Sequence, residues 1–179
     1  VRAYGESPEL QELANLVVVA GNRDDIRELD SGAQSVLGDL LLDIDRYDLY
    51  GKVAYPKHHR REEVPQMYRL AAASDGVFVN PALTEPFGLT LIEAAASGLP
   101  IVATADGGPQ DIIANCHNGY LVDPLNAEDM AAALLKILSN KDTWSTLAHA
   151  GLEGVQKHYA WQAHAEAYLT AIRPLLDSG

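Results

Sequence analysis

The sequence predicts an α/β protein built on a Rossmann-like parallel sheet flanked by helices. The first observation is an alternation of short apolar runs with longer segments of helical periodicity, because parallel strands need helical crossovers between them. The second is the run LVVVA at 16–20, whose β-branched residues are typical of a strand buried on both faces. The third is size, since 179 residues that are 47% hydrophobic can bury one substantial core.

The elements follow from these patterns in chain order. Strands are expected at 16–20, 52–55, 76–80, 99–104 and 119–122. Helices are expected at 31–50, 64–74, 88–97, 109–114, 126–139, 142–158 and 161–176. The alternation stops after Asp123, so the last three helices are predicted to form a helical C-terminal end. Asn126 is expected to cap the first of them.

Charge and cysteine content exclude several functional classes. The sequence has 13 Lys and Arg but 25 Asp and Glu, which gives a formal net charge of −12. This charge repels nucleic-acid phosphates and anionic lipids. A local pocket for one small anion is still compatible with this charge. The single cysteine, Cys116, cannot form an intramolecular disulfide and indicates a reducing compartment. No apolar run is long enough to span a membrane, so a cytoplasmic protein without nucleic-acid or membrane partners is predicted.

Ligands of open parallel sheets bind beyond the carboxyl ends of the strands, where loops lead into helices. Three segments have this position: 20–25, 80–93 and 105–111. In the first, AGNRDD, Gly21 permits close backbone approach. Arg23 is expected either to contact an anion or to be neutralised by Asp24 and Asp25. A solvated polar turn explains the same residues equally well.

The second segment, NPALTEPFGLTLIE, runs from a strand into a helix. The unpaired amides near Gly88, Leu89 and Thr90 are therefore candidates to receive phosphate oxygens. Glu85 precedes this helix and Glu93 lies within it. Their spacing alone also fits a helix-dipole partner and an ordinary surface carboxylate.

The third segment, ADGGPQD, has paired glycines that can expose backbone amides, and Pro109 suits a first helical turn. A tight connection without a ligand is the alternative. The segment ADGGPQD matches neither a Walker loop nor a dinucleotide fingerprint. We expect Glu85 and Gly107 on one face of the domain, because the carboxyl ends of parallel strands meet at one edge.

No metal site is predicted. Asp43 and Asp45 lie inside LLDIDRYDL, a helical pattern in which they form a solvated face. His58 and His59 are adjacent and have no nearby cysteine to complete a zinc set.

Several strings taken together resemble one family: GNRDD, YPKHH, VPQMYRLAA, GVFVNPALTEPFGLTLIEAAASGLPIVATADGGPQDI and GYLVDP. The chain resembles the glycosyltransferase domain of sucrose-phosphate synthases, within the retaining GT-B glycosyltransferases of family 4. The resemblance covers nearly the whole chain. EPFGLTLIEA indicates the broad family, whereas GNRDD and YPKHH favour sucrose-phosphate synthase over sucrose synthase. The resemblance implies that residues 1–179 form the donor-binding, C-terminal half of a GT-B fold.

The resemblance also implies an activity in sucrose biosynthesis and a set of roles. Glucose would pass from UDP-glucose to fructose 6-phosphate, giving sucrose 6-phosphate and UDP, with no cofactor or metal. Glu85 matches the first glutamate of the Glu-x7-Glu motif, near the transferred sugar, and Glu93 matches the second, at the ribose hydroxyls. The other implied donor contacts are the backbone of Phe87 and Gly88 around glucose, the amides of Leu89 and Thr90 at the diphosphate, Lys57 and His58 beside the uracil, and Gly21 and Arg23 on the donor side.

One departure limits the resemblance. The family's phosphate-binding Arg and Lys would precede Val1, in a strand and helix that the opening VRAYGESPEL does not include. The acceptor-binding N-terminal half is likewise expected elsewhere, as a partner of this one. We therefore expect truncation at the N-terminus and no turnover by the isolated chain. Sucrose synthase, another hexosyltransferase using fructose 6-phosphate, a non-catalytic nucleotide-binding module and a purely structural domain stay open as alternatives.

Overall fold

The computed structural model of the chain describes residues 1–176. Within them five short strands alternate with helices, in the predicted order. The strands are β1 (Leu16–Val17), β2 (Val53–Ala54), β3 (Phe78–Asn80), β4 (Ile101–Thr104) and β5 (Gly119–Val122). The helices are α1 (Arg2–Gly5), α2 (Pro8–Leu13), α3 (Ser31–Arg46), α4 (Val64–Ala73), α5 (Leu89–Ala96), α6 (Pro109–Cys116), α7 (Ala127–Leu138), α8 (Lys141–His158) and α9 (Trp161–Leu176).

All the strand pairs are parallel, which confirms the predicted α/β class. The strands divide between two sheets in the part of the chain that the structure describes. One sheet pairs β1 with β2, with Leu16 opposite Val53. The other has the order β3–β4–β5, with Val102 of the central strand between Val79 and Tyr120. The candidate loops therefore belong to the carboxyl ends of two sheets.

The strand β1 differs from its prediction. The run at 16–20 was expected to be buried on both faces, but only Leu16 and Val17 form a strand. Val17 is 58% exposed and Val19 is 41% exposed. Within the described residues β2 is the only strand that pairs with β1, so its other edge is left uncovered. The prediction of burial on both faces is therefore wrong for this run.

The larger sheet holds the main core. All four residues of β4 are fully buried, as a central strand covered on both faces requires. Leu91 of α5, with Ile112 and Cys116 of α6, packs in the same hydrophobic cluster. Burying each such aliphatic side chain contributes about 1.5–3 kcal/mol. Helix α8 closes over α6 at Gly154, where any larger side chain would overlap Cys116.

Helix α7 connects the two sheets. Ile137 packs with Val102 against the three-stranded sheet. Ala131 belongs to the other cluster, which holds the N-terminal helices and the β1–β2 pair. Met130 and Leu134 pack against both clusters. One amphipathic helix thus contributes to both cores, which holds the two sheets together.

The predicted cap of this helix is confirmed. The Oδ1 atom of Asn126 accepts hydrogen bonds from the amides of Glu128 and Asp129, both at 3.1 Å. We expect Asn126→Ala to lower the free energy of unfolding by about 1 kcal/mol, because two amides of the first turn lose their acceptor. Asn126→Asp keeps an acceptor and should stay close to wild type in the same urea-unfolding measurement. Equal destabilisation by both variants would contradict the capping role.

Candidate functional site at the strand ends

The loops that follow β3 and β4 are joined to each other. The amide of Glu85 donates to the carbonyl oxygen of Asp106 at 3.3 Å, and the amide of Gly108 donates to the carbonyl oxygen of Glu85 at 2.8 Å. These bonds make a parallel bridge between Glu85 and Gly107. The Thr84 hydroxyl adds a side-chain hydrogen bond to Asp106 Oδ2 at 2.7 Å. The prediction that Glu85 and Gly107 share one face is confirmed.

The two glycines of this bridge permit close contact of the loops. Gly107 has a φ of +87°, and a Cβ there would overlap the carbonyl oxygen of Glu85. A Cβ on Gly108 would overlap the carbonyl oxygen of Phe87. The Gly108 amide is consumed by the bridge, so the expectation that it is exposed for a ligand is wrong.

The carboxylate of Glu85 is held from two sides. Its Oε1 accepts from the amides of Phe87 and Gly88, at 3.3 and 3.0 Å. Its Oε2 accepts from the side-chain nitrogen of Asn80, the last residue of β3, at 3.1 Å. The side chain is therefore fixed between a strand end and a helix start. Any sugar contact by the amides of Phe87 or Gly88 has to be shared with this carboxylate.

Helix α5 begins at Leu89, directly after Gly88. Gly88 has a φ of +94° and is buried against Ile112, so a side chain there would be both strained and crowded. The next two residues, Leu89 and Thr90, are exposed. Among the described residues their amides have no hydrogen-bond acceptor, which is the normal state of a helix's first turn. This end of the helix carries positive partial charge and suits an anion.

Glu93 lies one turn further along α5 and is exposed. Its carboxylate accepts no hydrogen bond from the described residues, so it is open to an external donor. Tyr68 of α4 is near it: burial raises the pKa of the Tyr68 hydroxyl, and the negative charge of Glu93 raises it further. The motif thus presents one fixed carboxylate, Glu85, and one free carboxylate, Glu93.

The strings GNRDD and YPKHH meet at the carboxyl ends of β1 and β2. The Arg23 amide donates to the carbonyl oxygen of Lys57 at 3.1 Å, and the His59 amide donates to Asn22 Oδ1 at 2.7 Å. The Arg23 guanidinium donates to the carbonyl oxygens of Tyr55 and Pro56, at 3.3 Å each. The structure therefore joins the loop at 21–25 to the segment at 55–59, and joins the other two predicted loops to each other.

Of the two expectations for Arg23, the structure contradicts its neutralisation by Asp24 and Asp25, and contact with an anion stays a prediction. Asp25 pairs with Arg27, whose side-chain hydrogen bond holds the pKa of Asp25 below its usual value. Asp24 lies 3.4 Å from the ring of His58. The Arg23 guanidinium instead donates hydrogen bonds to backbone carbonyls, which stabilises the fold. Gly21 is exposed, with a φ of +61° and open space around it.

A hollow of about 350 Å³ opens beside this cluster. Its lining includes three carboxylates, those of Asp24, Asp25 and Glu28, together with Arg23 and His58. Because carboxylates outnumber cations there, the hollow disfavours a phosphate. An anion is better accommodated at the start of α5.

Two contacts at the site were not predicted, those of Asn80 and the Thr84–Asp106 pair. Asn80 could have been noticed, because an Asn at a strand's carboxyl end before a proline commonly turns the chain through its own side chain. The Thr84–Asp106 hydrogen bond joins residues from separate loops, and the sequence has no local signal for it.

A profile of the family described as glycosyl transferases group 1 matches residues 2–153. The chain belongs to this family. Among curated glycosyltransferases, it is 54% identical over 177 residues to "Probable sucrose-phosphate synthase 5" of Oryza sativa subsp. japonica, covering 99% of this chain and 17% of the relative. The chain thus spans about one sixth of the length of the curated relatives it matches. The predicted resemblance to sucrose-phosphate synthases is confirmed.

Solved glycosyltransferase structures share the fold. A sucrose-phosphate synthase from Thermosynechococcus elongatus superposes with a TM-score of 0.75 at 29% identity, over 99% of this chain and 41% of that one. The C-terminal domain of LpcC, a glycosyl transferase group 1 family protein from Francisella tularensis, gives a TM-score of 0.74 at 24% identity, over 89% of this chain and 77% of that one. The GT-B type of α/β fold is confirmed.

Two features are absent from the described residues. No helix in them combines the length and apolar character that crossing a bilayer requires. Nor do three or more of their His, Cys, Asp or Glu side chains converge where they could hold a metal ion.

Proposed function

We propose that the chain is the donor-binding part of a retaining glucosyltransferase that uses UDP-glucose and fructose 6-phosphate and releases sucrose 6-phosphate and UDP. The observation that carries this proposal is the start of α5, where the fixed carboxylate of Glu85 stands beside the unpaired amides of Leu89 and Thr90. The 54% identity to a relative named as a sucrose-phosphate synthase supports the choice of donor, acceptor and product.

The proposed domain organisation extends beyond these residues. Residues 1–179 would form the C-terminal half of the GT-B enzyme, and a partner N-terminal half would supply the acceptor site and the cationic phosphate contacts. The sixfold greater length of the curated relatives supports this division. A cytoplasmic location is part of the proposal, and the lone buried cysteine, Cys116, supports it.

The start of α5 would bind the diphosphate of the donor. The amides of Leu89 and Thr90 donate to phosphate oxygens, and the helix dipole stabilises the negative charge that develops on the UDP leaving group. The leaving phosphate then assists deprotonation of the acceptor hydroxyl, so this step uses no cofactor or metal. UDP-glucose is a substrate in this proposal.

The two glutamates have different proposed roles. Glu85 accepts a hydrogen bond from a hydroxyl of the transferred glucose. It does so through the lone pair of Oε2 that Asn80 does not use. With both oxygens already hydrogen-bonded, Glu85 is suited to orient the sugar, and no covalent intermediate on it is proposed. Glu93 has no such partners among the described residues, and it accepts hydrogen bonds from the ribose hydroxyls.

The cluster formed by GNRDD and YPKHH would border the nucleoside. Lys57 and His58 would flank the uracil, mainly through their backbone. Arg23 would act indirectly, because it holds the carbonyls of Tyr55 and Pro56 in place. Gly21, which has open space around it, leaves room for the donor.

The direct test is an assay of the full-length protein with UDP-glucose and either fructose 6-phosphate or fructose. Formation of sucrose 6-phosphate is the expected result. Sucrose made from free fructose alone would indicate a sucrose synthase, and UDP binding without turnover would indicate a non-catalytic module. Absence of UDP binding would contradict the proposal. The isolated chain of 179 residues is expected to give no product.

We expect Glu93→Gln to weaken UDP binding by the full-length protein roughly 10- to 150-fold. The reason is that an ionised acceptor of two hydroxyls is lost, at a cost of about 1.5–3 kcal/mol. Calorimetric titration with UDP measures this change. Glu153→Gln on α8 is the matched control, because it removes the same charge from an exposed helical site elsewhere. Unchanged UDP affinity in Glu93→Gln would show that the ribose binds elsewhere.

A further inference from the structure

The side chain of Asn80 has one defined orientation. Its Oδ1 accepts the amide of Ala82 at 3.1 Å, and its Nδ2 donates to Glu85 Oε2 at 3.1 Å. With the amide flipped, an oxygen would face the carboxylate and an NH2 group would face a backbone N–H, so both contacts would become repulsive. The two neighbours therefore make Asn80 a donor toward Glu85.

Asn80 supplies one of the three hydrogen bonds that the Glu85 carboxylate accepts from the described residues, the one to Oε2. The other oxygen, Oε1, is held by the amides of Phe87 and Gly88 at the start of α5. That contact alone leaves the carboxylate free to rotate its second oxygen. Asn80 is the side chain that fixes Oε2, and it does so from the rigid end of β3, where it stands opposite Ala103 of the buried strand β4.

We propose that Asn80 is a positioning residue for glucosyl transfer, acting through Glu85. This inference rests on the proposed function, since it assigns Oε2 of Glu85 to a sugar hydroxyl. Transfer needs that oxygen in one direction, and small misplacements of an orienting group are costly to the rate. UDP is expected to bind independently of Asn80, because Leu89, Thr90 and Glu93 are unchanged.

Two variants of the full-length enzyme separate this role from a structural one. Asn80→Asp is nearly isosteric and keeps the acceptor for Ala82, but it replaces the donor with an oxygen that faces the carboxylate of Glu85. Asn80→Ala removes both contacts. If Asn80 only turned the chain at Ala82, Asn80→Asp would resemble wild type and Asn80→Ala would be the damaged variant. If it positions Glu85, Asn80→Asp is at least as damaging as Asn80→Ala.

We expect kcat with UDP-glucose to fall roughly 10- to 100-fold in both variants, from the loss of one hydrogen bond to a charged group. The Kd for UDP, measured by calorimetry, should stay within about twofold of wild type. Asn126→Asp is the control, because it makes the same chemical change where the side chain only accepts hydrogen bonds.

Each outcome of this comparison has one meaning. A wild-type kcat in Asn80→Asp, with active wild-type enzyme, overturns the inference and leaves the proposed function in place. Loss of UDP binding in parallel with kcat also overturns it, since Asn80 would then support the whole loop. A wild-type enzyme without glucosyl transfer overturns the proposed function, and the inference with it.

Discussion

Glu85→Gln in the full-length enzyme is expected to lower kcat for glucosyl transfer at least about a hundredfold while UDP still binds. Both carboxylate oxygens face donors, from Asn80 on one side and from Phe87 and Gly88 on the other. A glutamine has one acceptor oxygen and one NH2 group. In either orientation its NH2 group would face a donor, either the Asn80 side chain or the amides of Phe87 and Gly88. The lost ionised acceptor and the mismatch together cost about 3 kcal/mol or more, which is a factor of at least about a hundred in rate.

Steady-state rates with UDP-glucose and fructose 6-phosphate, together with calorimetry for UDP, test this prediction. Glu62→Gln is the control, since it neutralises an exposed glutamate beyond the two loops of the site. Matching circular dichroism spectra and melting curves exclude misfolding. Loss of UDP binding in Glu85→Gln, with normal transfer and binding in Glu93→Gln, would contradict the roles assigned to the two glutamates.

Gly107→Ala is expected to disrupt the site through the backbone. The new methyl group would overlap the carbonyl oxygen of Glu85, and the alanine would also be strained at a φ of +87°. The two joined loops would have to separate. We expect this domain to lose about 3 kcal/mol or more of stability, which is a fall of roughly 6 °C or more in its melting temperature. The full-length enzyme should also lose transfer activity.

Gly51→Ala is the matched control for this variant. Gly51 has a similar φ of +77°, but its added methyl would meet open space. It should show the conformational strain alone, about 1–2 kcal/mol, with normal activity. Differential scanning calorimetry and the transfer assay compare the two variants. Equal destabilisation would mean that the contact between the loops contributes nothing beyond backbone strain.

Much of the fold could be predicted because its signals are local. Strands and helices follow the periodicity of apolar residues, and the Asn126 cap depends on amides two and three residues away. The meeting of Glu85 and Gly107 follows from geometry, since neighbouring parallel strands end at the same edge. These inferences rest on local patterns and on the common direction of parallel strands.

The features that could not be predicted depend on tertiary neighbours. The apolar character of the run at 16–20 is plain in the sequence, but its burial depends on which strand lies beside β1. Helix α3 ends at Arg46, four residues before its predicted end, because the chain turns at Asp48 with a φ of +51°. The partners of Arg23 come from the segment at 55–59, and charge proximity along the chain pointed to Asp24 and Asp25 instead.

The buried thiol of Cys116 can report how often this part of the domain opens. It is the only cysteine of the 179 residues, it packs in one cluster with Leu91 of the candidate anion-binding helix, and burial raises its pKa above the ordinary value. Alkylation in native buffer therefore requires α6 and α8 to come apart, and its rate, followed by mass spectrometry of the Cys116 peptide, measures the free energy of that opening. A donor nucleotide that binds only while α6 and α8 are packed together would lower the alkylation rate, and the decrease would grow with the ratio of nucleotide concentration to Kd. The alkylation rate would therefore report occupancy of the site without any assay of sugar transfer.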